Sequence, residues 1–518
     1  MFDEKMNALP APGQVLNDAN MRVQEVIHGH RLIPEQEPFM VVLETLCVCA
    51  AQPLGSTTVA ADNHEAFSYD LPQRRKMRFL LFVDRNLEKV IRDTNIADSI
   101  KWSAWKDLLN RQYNPTGAKD RDDFAYLDEP FGKNIYDLFQ AIDLLRSREL
   151  DVMHNRRWTS RFLAVTGPDM ICTDMREAKK NTWSSDRRFF GRGGELVYLM
   201  LNRSSHAQGV GALVNERLLN KDDPMNKVAV ALSDPEDKHK SSTSIGYLPL
   251  KSHPAYDRMA EDWKGILTLA RLPDGHLFEP LFRITGLNLM AYLAERAQEV
   301  GAMPQVEPIV VDLTDGDDKK LRESSKAQLN RHRQNANRAV KAYIETTAQT
   351  DEGWQTAVAH NNPDAASKII QRLFHFETSL KHAAPADQLE DLIHQALRRD
   401  KNNTHRNLLP MLKDIGLATS RPRIGTWIVM DDAMITALVM ANVSETVELR
   451  DFVSRLYQRY NIVIGPQEAR LAFNRLPVSV QSFEANLSAL EIRMTRLSLT
   501  KRLSDDCAFV TNPYRQVN

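Results

Sequence analysis

Apolar residues recur at helical spacing along much of the chain. Phe39, Val42, Leu43, Leu46, Cys49 and Ala50 mark one buried stripe, and Leu87, Val90 and Ile91 begin another. Ile135, Leu138, Phe139, Ile142 and Leu145 predict an amphipathic helix, as do Leu287, Met290, Ala291, Ala294 and Ala297. Beyond residue 319 the pattern is almost entirely helical, with Ile369, Ile370, Leu373, Phe374 and Leu380 marking one helix and Leu389, Leu392, Ile393 and Leu397 the next. Four compact apolar runs read instead as buried strands: Met77–Val83, Phe162–Val165, Glu195–Leu201 and Val228–Leu232. Polar stretches with Pro, Gly or Ser punctuate these elements at 114–128 and 234–244, and residues 301–318 read as an inter-domain connection.

The last hundred residues form a compact pattern of their own. Ile424–Met430 predicts a strand, and Asp431 or Asp432 can cap the helix that follows. Leu449, Phe452, Val453 and Leu456 define a helix, Ile462–Ile464 a short strand, and Gly465-Pro466 breaks it before a helix over 467–473. Phe483, Leu487, Leu490, Met494 and Leu497 then lie on one helical face, with Asn486, Arg493 and Arg496 on the opposite one. Two short apolar segments flank Ser504-Asp505-Asp506, which predicts a β-hairpin. A helix followed by a hairpin is the layout of a winged helix, whose last helix can enter a major groove while Lys501 and Arg502 on the wing touch phosphate. Two observations pull the other way: cations in the final turn favour the helix dipole without any ligand, and Asp505 and Asp506 would repel phosphate. Docking of a protein on the same module stays open.

The expected fold is therefore α+β and helix-rich, in four parts: a helix-rich domain over 1–160, a mixed α/β domain over 161–310, a helical region over 319–415 that begins with a basic helix, and a winged-helix-like module over 421–518. With 518 residues there is room for such a division, and 42% apolar with 26% charged residues is ordinary for a globular protein. The formal charge of −1 excludes a histone-like polycation, and four cysteines exclude a disulfide-stapled scaffold. Asp3, Glu4 and two prolines fall where a signal peptide needs an apolar core, and the apolar stretch Met40–Ala51 is short for a membrane span. The expectation is a cytoplasmic protein with its cysteines as core thiols, no cofactor and no membrane partner.

Net charge conceals local charge. Between Lys319 and Lys341 stand eight basic residues, among them Arg331, Arg333, Arg338 and Lys341, against one acidic residue, Glu323. Asn330, Gln334, Asn335 and Asn337 are interspersed. Such a helix can follow a phosphate backbone, or it can be a solvated bridge between domains. A second basic cluster, with Arg187 and Arg188, precedes Gly191-Arg192-Gly193-Gly194. Glycines there let backbone amides approach a phosphate, with Arg192 adding charge, although a tight turn into a strand explains the same residues and no known phosphate motif has this spacing.

Catalytic motifs are missing. The chain has no GxxxxGK[ST], no HExxH and no G-x-S-x-G. His28 and His30 form the densest histidine pair without a third ligand close in sequence. Asp234–Lys240 has the residue types of a magnesium-dependent nuclease core, but reads as a solvated loop.

The segments IVIGPQEARLAF, LTKRLSDDCAFVTNPY and FFGRGGELVYLML resemble uncharacterised accessory subunits of bacterial anti-phage defence operons, with the Druantia type the nearest. The resemblance implies a non-enzymatic subunit of a multi-protein system whose motor, a helicase or ATPase, resides in another chain, and it transfers no catalytic residues. DNA is the expected nucleic-acid partner. The alternatives are a metal-dependent nuclease with its site in the middle domain, or a pure protein adaptor.

Overall fold

The computed structural model describes residues 19–29, 36–55, 67–113, 122–150, 161–173, 176–179, 182–184, 192–236, 242–398, 404–502 and 508–515. The first part runs α1 (Ala19–His28), α2 (Pro38–Ala51), β1 (Ser68–Asp70), α3 (Arg75–Phe82), α4 (Asn86–Arg92), α5 (Asp98–Tyr113) and α6 (Ile135–Arg146). Next come β2 (Arg176–Lys179), β3 (Thr182–Ser184), α7 (Gly193–Asn202), α8 (Ala207–Arg217), α9 (Pro224–Ala231), β4 (Ser242–Ser244), α10 (Pro254–Leu267), α11 (Phe278–Val300) and β5 (Ile309–Val310). A helical stretch follows: α12 (Lys319–Gln349), α13 (Glu352–Ala359), α14 (Pro363–Phe374), α15 (Pro385–Ala396) and α16 (Thr404–Asp414). The chain then forms β6 (Ala418–Arg421), β7 (Gly425–Ile428), α17 (Asp432–Asn442), β8 (Val447–Glu448), α18 (Leu449–Tyr460), β9 (Ile462–Val463), α19 (Pro466–Ala472), α20 (Val480–Arg496), β10 (Thr500–Arg502) and β11 (Ala508–Val510). The class is α+β with helix dominant, and no described helix is long and apolar enough to cross a membrane.

Three of the four expected buried strands are helices. Met77–Val83 lies in α3, Glu195–Leu201 in α7 and Val228–Leu232 in and just after α9. In α7 every residue from Gly193 to Leu201 is buried, so no polar face interrupts the apolar run. Without that face, periodicity cannot separate a buried helix from a buried strand. Phe162–Val165 is buried, and among the described residues a single bridge joins Leu163 to Glu149. The expected helices over 39–50, 87–91, 135–145 and 287–297 are present.

One core draws side chains from Phe39 through Val510 and so spans all the expected boundaries. At its centre α2 packs against α7 and α11. The approach of α2 to α7 depends on Gly194, where a Cβ would stand 2.4 Å from Glu44 Cβ and 2.6 Å from Thr45 N. A second core joins α1 to the carboxy-terminal half of α12 and to α13–α15, through Val23, Ile344, Trp354, Ile370 and Leu392. A third, smaller core gathers Val310, Leu321, Val463, Ala469 and Phe483.

Residues 301–318 do more than connect. β5 pairs in parallel with β9, Ile309 opposite Ile462 and Val310 opposite Val463. The strand direction then continues, with Val311 N donating to Val463 O and Asp312 N to Ile428 O at the end of β7. The segment thus stitches the carboxy-terminal elements to α11 and α12. In the same region β6 and β7 form an antiparallel hairpin, and β10, β11 and β8 form a three-stranded sheet in that order.

Candidate nucleic-acid interface

α12 forms because Asp318 caps it, accepting Lys320 N and Leu321 N, and because one face buries Leu321, Leu329, Val340 and Ile344. The helix runs on to Gln349, well past the basic stretch. Three of its expected contact residues, Arg331, Arg338 and Lys341, are exposed, and each is engaged. Arg331 Nη1 reaches Glu307 at 3.2 Å, Arg338 Nη1 meets Asn335 at 3.4 Å, and Lys341 pairs with Glu345 at 3.7 Å. Arg333 is half-buried and has no ion pair among the described residues. Pairs this exposed stabilise by only ~0.2–1 kcal/mol, so an approaching phosphate can compete for these cations.

The β6–β7 hairpin adds cations that the hydrophobic pattern does not mark. Ser325 locks the hairpin to α12 by accepting from Ile428 N at 2.8 Å and donating to Ile428 O at 3.1 Å. Lys326 Nζ donates to Ile424 O at 2.9 Å. Arg322 of α12 and Arg421 of β6 both lie over the fully buried Trp427 ring, at 5.9 and 5.5 Å from its centre. A Cβ on Gly316 would meet Nη1 of each arginine, at 3.3 and 3.7 Å, so the two guanidinium groups share one neighbourhood. At the turn, Arg423 stands exposed in a left-handed conformation, φ 63°. Neither Arg421 nor Arg423 has an ion pair among the described residues. The acidic neighbours in sequence are Asp315 and Asp317, both exposed, at the approach to α12, the capping Asp318, and Glu323, which pairs with Lys326 at 3.8 Å.

The expected face of α20 divides. Asn486 is a correction: it is fully buried, its Oδ1 accepting from Leu313 N at 2.8 Å and its Nδ2 donating to Val311 O and Ile464 O at 2.9 and 3.0 Å. It clamps the β5–β9 pair to α20. Arg493 is held by Met430 O at 2.7 Å and by Asp432, so it ties α20 to the start of α17. Arg496 and Lys501 are exposed, and Arg502 lies 3.8 Å from Glu491. The outward face of α20 carries Glu484, Ser488 and Ile492, the last 53% exposed.

The glycine-rich turn opens a helix, and its amides are taken. Glu44 of α2 accepts from Arg192 N at 3.1 Å, from Gly194 N at 2.8 Å and from Gln36 Nε2 at 2.7 Å, while Gly193 N donates to Gln36 Oε1 at 2.9 Å. The place where a phosphate would sit is filled by a carboxyl group of the chain itself. Arg192 turns back onto Glu195, donating to both its oxygens at 3.1 Å, and Tyr69 Oη donates to the same carboxylate at 2.7 Å. Burial, and after it the Glu195 charge, push the Glu44 carboxyl up to about 8. Arg187 and Arg188 lie outside the described residues.

Other expected chemistry is placed as follows. Cys47, Cys49 and Cys172 are buried free thiols, and burial raises Cys47 and Cys49. Asp234 pairs with Lys76 of α3 at 2.5 Å. His28 is buried among α1 and α11 with neither ring nitrogen hydrogen-bonded, and burial pushes it down to about 3. His30 lies outside the described residues. Among the described residues no three His, Cys, Asp or Glu side chains gather at metal-binding distance.

Comparison of the chain with protein-family models, curated proteins and solved structures finds no match.

Proposed function

We propose that the chain is a non-enzymatic subunit of a multi-protein bacterial anti-phage system and that it contacts DNA phosphates through α12 and the β6–β7 hairpin. The observation that carries the DNA part is the grouping of Arg322, Lys326, Arg421 and Arg423 at one end of α12, with Arg421 and Arg423 free of carboxylate partners among the described residues. Arginines beside a rigid aromatic are positioned in advance, so little side-chain entropy is lost when phosphate arrives. The defence assignment rests on the resemblance of three sequence segments, and a helicase or ATPase subunit is the partner it implies.

A winged helix over 421–518 is part of the proposal. The strand order β10–β11–β8 and the position of α20 before the hairpin support it. With Asn486 and Arg493 turned inward, Arg496, Lys501 and Arg502 are what remains of the contacts expected of α20 and the wing. The exposed Ile492, on the same face as Glu484, favours a protein rather than DNA on the outward face of α20, which makes this module the docking site for another subunit.

The test combines a gel shift with a pull-down. The chain should retard duplex DNA at low salt, and replacing Arg331, Arg333 and Arg338 with Glu should weaken that retardation. It should also co-purify with the product of a neighbouring gene, through contacts that Ile492→Glu disrupts. Failure to bind DNA with the pull-down intact would leave the adaptor reading in its place. Magnesium- or manganese-dependent cutting of plasmid by the purified chain would replace the non-enzymatic reading with the nuclease.

A further inference from the structure

The outward side of α12 is one continuous polar stripe. At 3.6 residues per turn, Lys320, Arg331, Gln334, Arg338 and Lys341 fall within about 80° of one another, and all five are exposed. Glu323 and Glu345 share the stripe, each paired with a lysine, Lys326 at 3.8 Å and Lys341 at 3.7 Å. The β6–β7 hairpin, fixed to α12 through Ser325, adds Arg421 and Arg423. It also adds two hydroxyls, Ser420 Oγ and Thr426 Oγ1, 2.6 Å apart. From Arg322, beside the hairpin, to Lys341 the helix rises ~28 Å, the length of about eight base pairs of duplex. Its other side is packed into the protein through Leu321, Leu329, Val340 and Ile344, which holds the row of cations in a rigid line. A duplex presents phosphates at fixed spacing over that distance. A single strand has no fixed spacing and must lose conformational freedom to match the row.

The aromatic side chains of these two elements are placed away from any base. Proteins that hold single strands stack successive bases on exposed aromatic rings. Here His332 and Tyr343 fall on the opposite side of α12 from the stripe, and the Tyr343 ring packs against Phe374, 6.4 Å between centres. Trp427 of β7 is fully buried, and Arg322 and Arg421 already take its ring as their aromatic partner. Reading base edges in a duplex requires a helix that enters the major groove, and a helix with its side chains nearly fills that groove. α12 cannot enter so far, because its inner face is packed and the hairpin stands alongside it. The stripe therefore meets the rim of a groove, where Arg, Lys, Asn and Gln all donate to phosphate oxygens.

We infer that this surface takes DNA as an intact duplex, in preference to single strands and without regard to base sequence. The inference rests on the DNA contact proposed above and adds the form of DNA that the contact selects. Rigid cations without a stacking platform give the duplex preference, and a helix kept out of the groove gives the indifference to sequence.

The experiment measures binding of the full-length chain at low salt to a pool of random-sequence duplexes and to the same pool as single strands, and then selects the tightest-binding duplexes over several rounds. Single strands are expected to bind about tenfold more weakly than duplexes, since they lack a stacking partner. The selected duplexes should bind within about tenfold of the starting pool, whereas a sequence reader would gain ~10³-fold or more. Arg331→Gln with Arg338→Gln, both at exposed positions, should weaken the whole duplex pool and lower its salt slope by about 1.8. Single strands that bind as tightly as duplexes, a selected pool that gains more than about tenfold, or an unchanged slope in the folded double variant would overturn the inference. The first two of those results leave DNA contact itself standing. Absence of binding to either form removes the DNA contact and this inference together.

Discussion

Replacing Asn486 with Ala separates a structural clamp from a DNA contact. In the folded chain Asn486 is fully buried and makes three hydrogen bonds to backbone groups of Val311, Leu313 and Ile464. Truncation leaves one amide and two carbonyls without their partner. Each unsatisfied buried group costs ~1–3 kcal/mol. Local relaxation and entry of a water soften the sum, so a loss of about 3–5 kcal/mol is expected, against under ~0.5 kcal/mol for a surface asparagine. Asn486→Asp should be worse, since it loses both donors and sets a carboxylate against two carbonyl oxygens. The assay is guanidinium unfolding paired with amide hydrogen exchange. The unfolding midpoint should fall, and exchange should quicken first in the segment 309–313 and in 462–464, the strands the side chain holds together. Wild-type stability and protection combined with weakened DNA binding would refute the clamp and return Asn486 to the interface.

The buried Glu44 and Glu195 pair makes stability depend on pH. The folded chain holds the Glu44 carboxyl near 8 against an ordinary 4.5, so it keeps a proton that the unfolded chain has released. That contribution is fully present below about pH 4.5 and lost as pH rises through 8, and Glu44→Gln should flatten the melting temperature across that window. His28 acts with the opposite sign: its folded value near 3 lies below the ordinary 6.5, so its contribution is lost as pH falls below 6.5. His28→Gln should remove that part of the acid limb, which thermal melts between pH 4 and 7 would detect. Gly265→Ala places a Cβ 2.4 Å from the Ala441 carbonyl, forcing α10 from α17 and costing ~1–3 kcal/mol by denaturant titration. Ser325→Ala removes both bonds to Ile428 and should free the β6–β7 hairpin, seen as faster amide exchange across 418–428.

What could be read from the sequence followed the amount of polar face each element keeps. α6 and α18 present one dry and one wet side, so their spacing announced them. α3 and α7 are wrapped on nearly every side, and their runs of Met, Leu, Val and Phe carry no period to distinguish them from strands. The same limit misplaced Asn486. The apolar stripe Phe483–Leu490–Met494 fixed one buried side of α20, but the helix is covered on a second side by the β5–β9 pair, whose β5 segment comes from more than 170 residues away. Strand β6 escaped notice because Ala418–Arg421 is mostly polar and exposed; only the turn residues Pro422 and Gly425, with Thr426–Ile428 beyond, hinted at a hairpin. The glycine-rich turn does direct its amides at an acceptor, but that acceptor, Glu44, lies about 150 positions away and no local pattern reveals it.

The central claim is that α12 and the β6–β7 hairpin meet DNA phosphates, and its most direct test is the salt dependence of duplex binding by fluorescence anisotropy. Arg421→Gln with Arg423→Asn removes two charges, and Asn tolerates the left-handed turn at 423. The slope of log affinity against log salt should become shallower by about 1.8, or about 0.9 for each phosphate that the variant no longer neutralises. A slope unchanged from wild type in this folded double variant, or no duplex binding by the wild type at low salt, would contradict it.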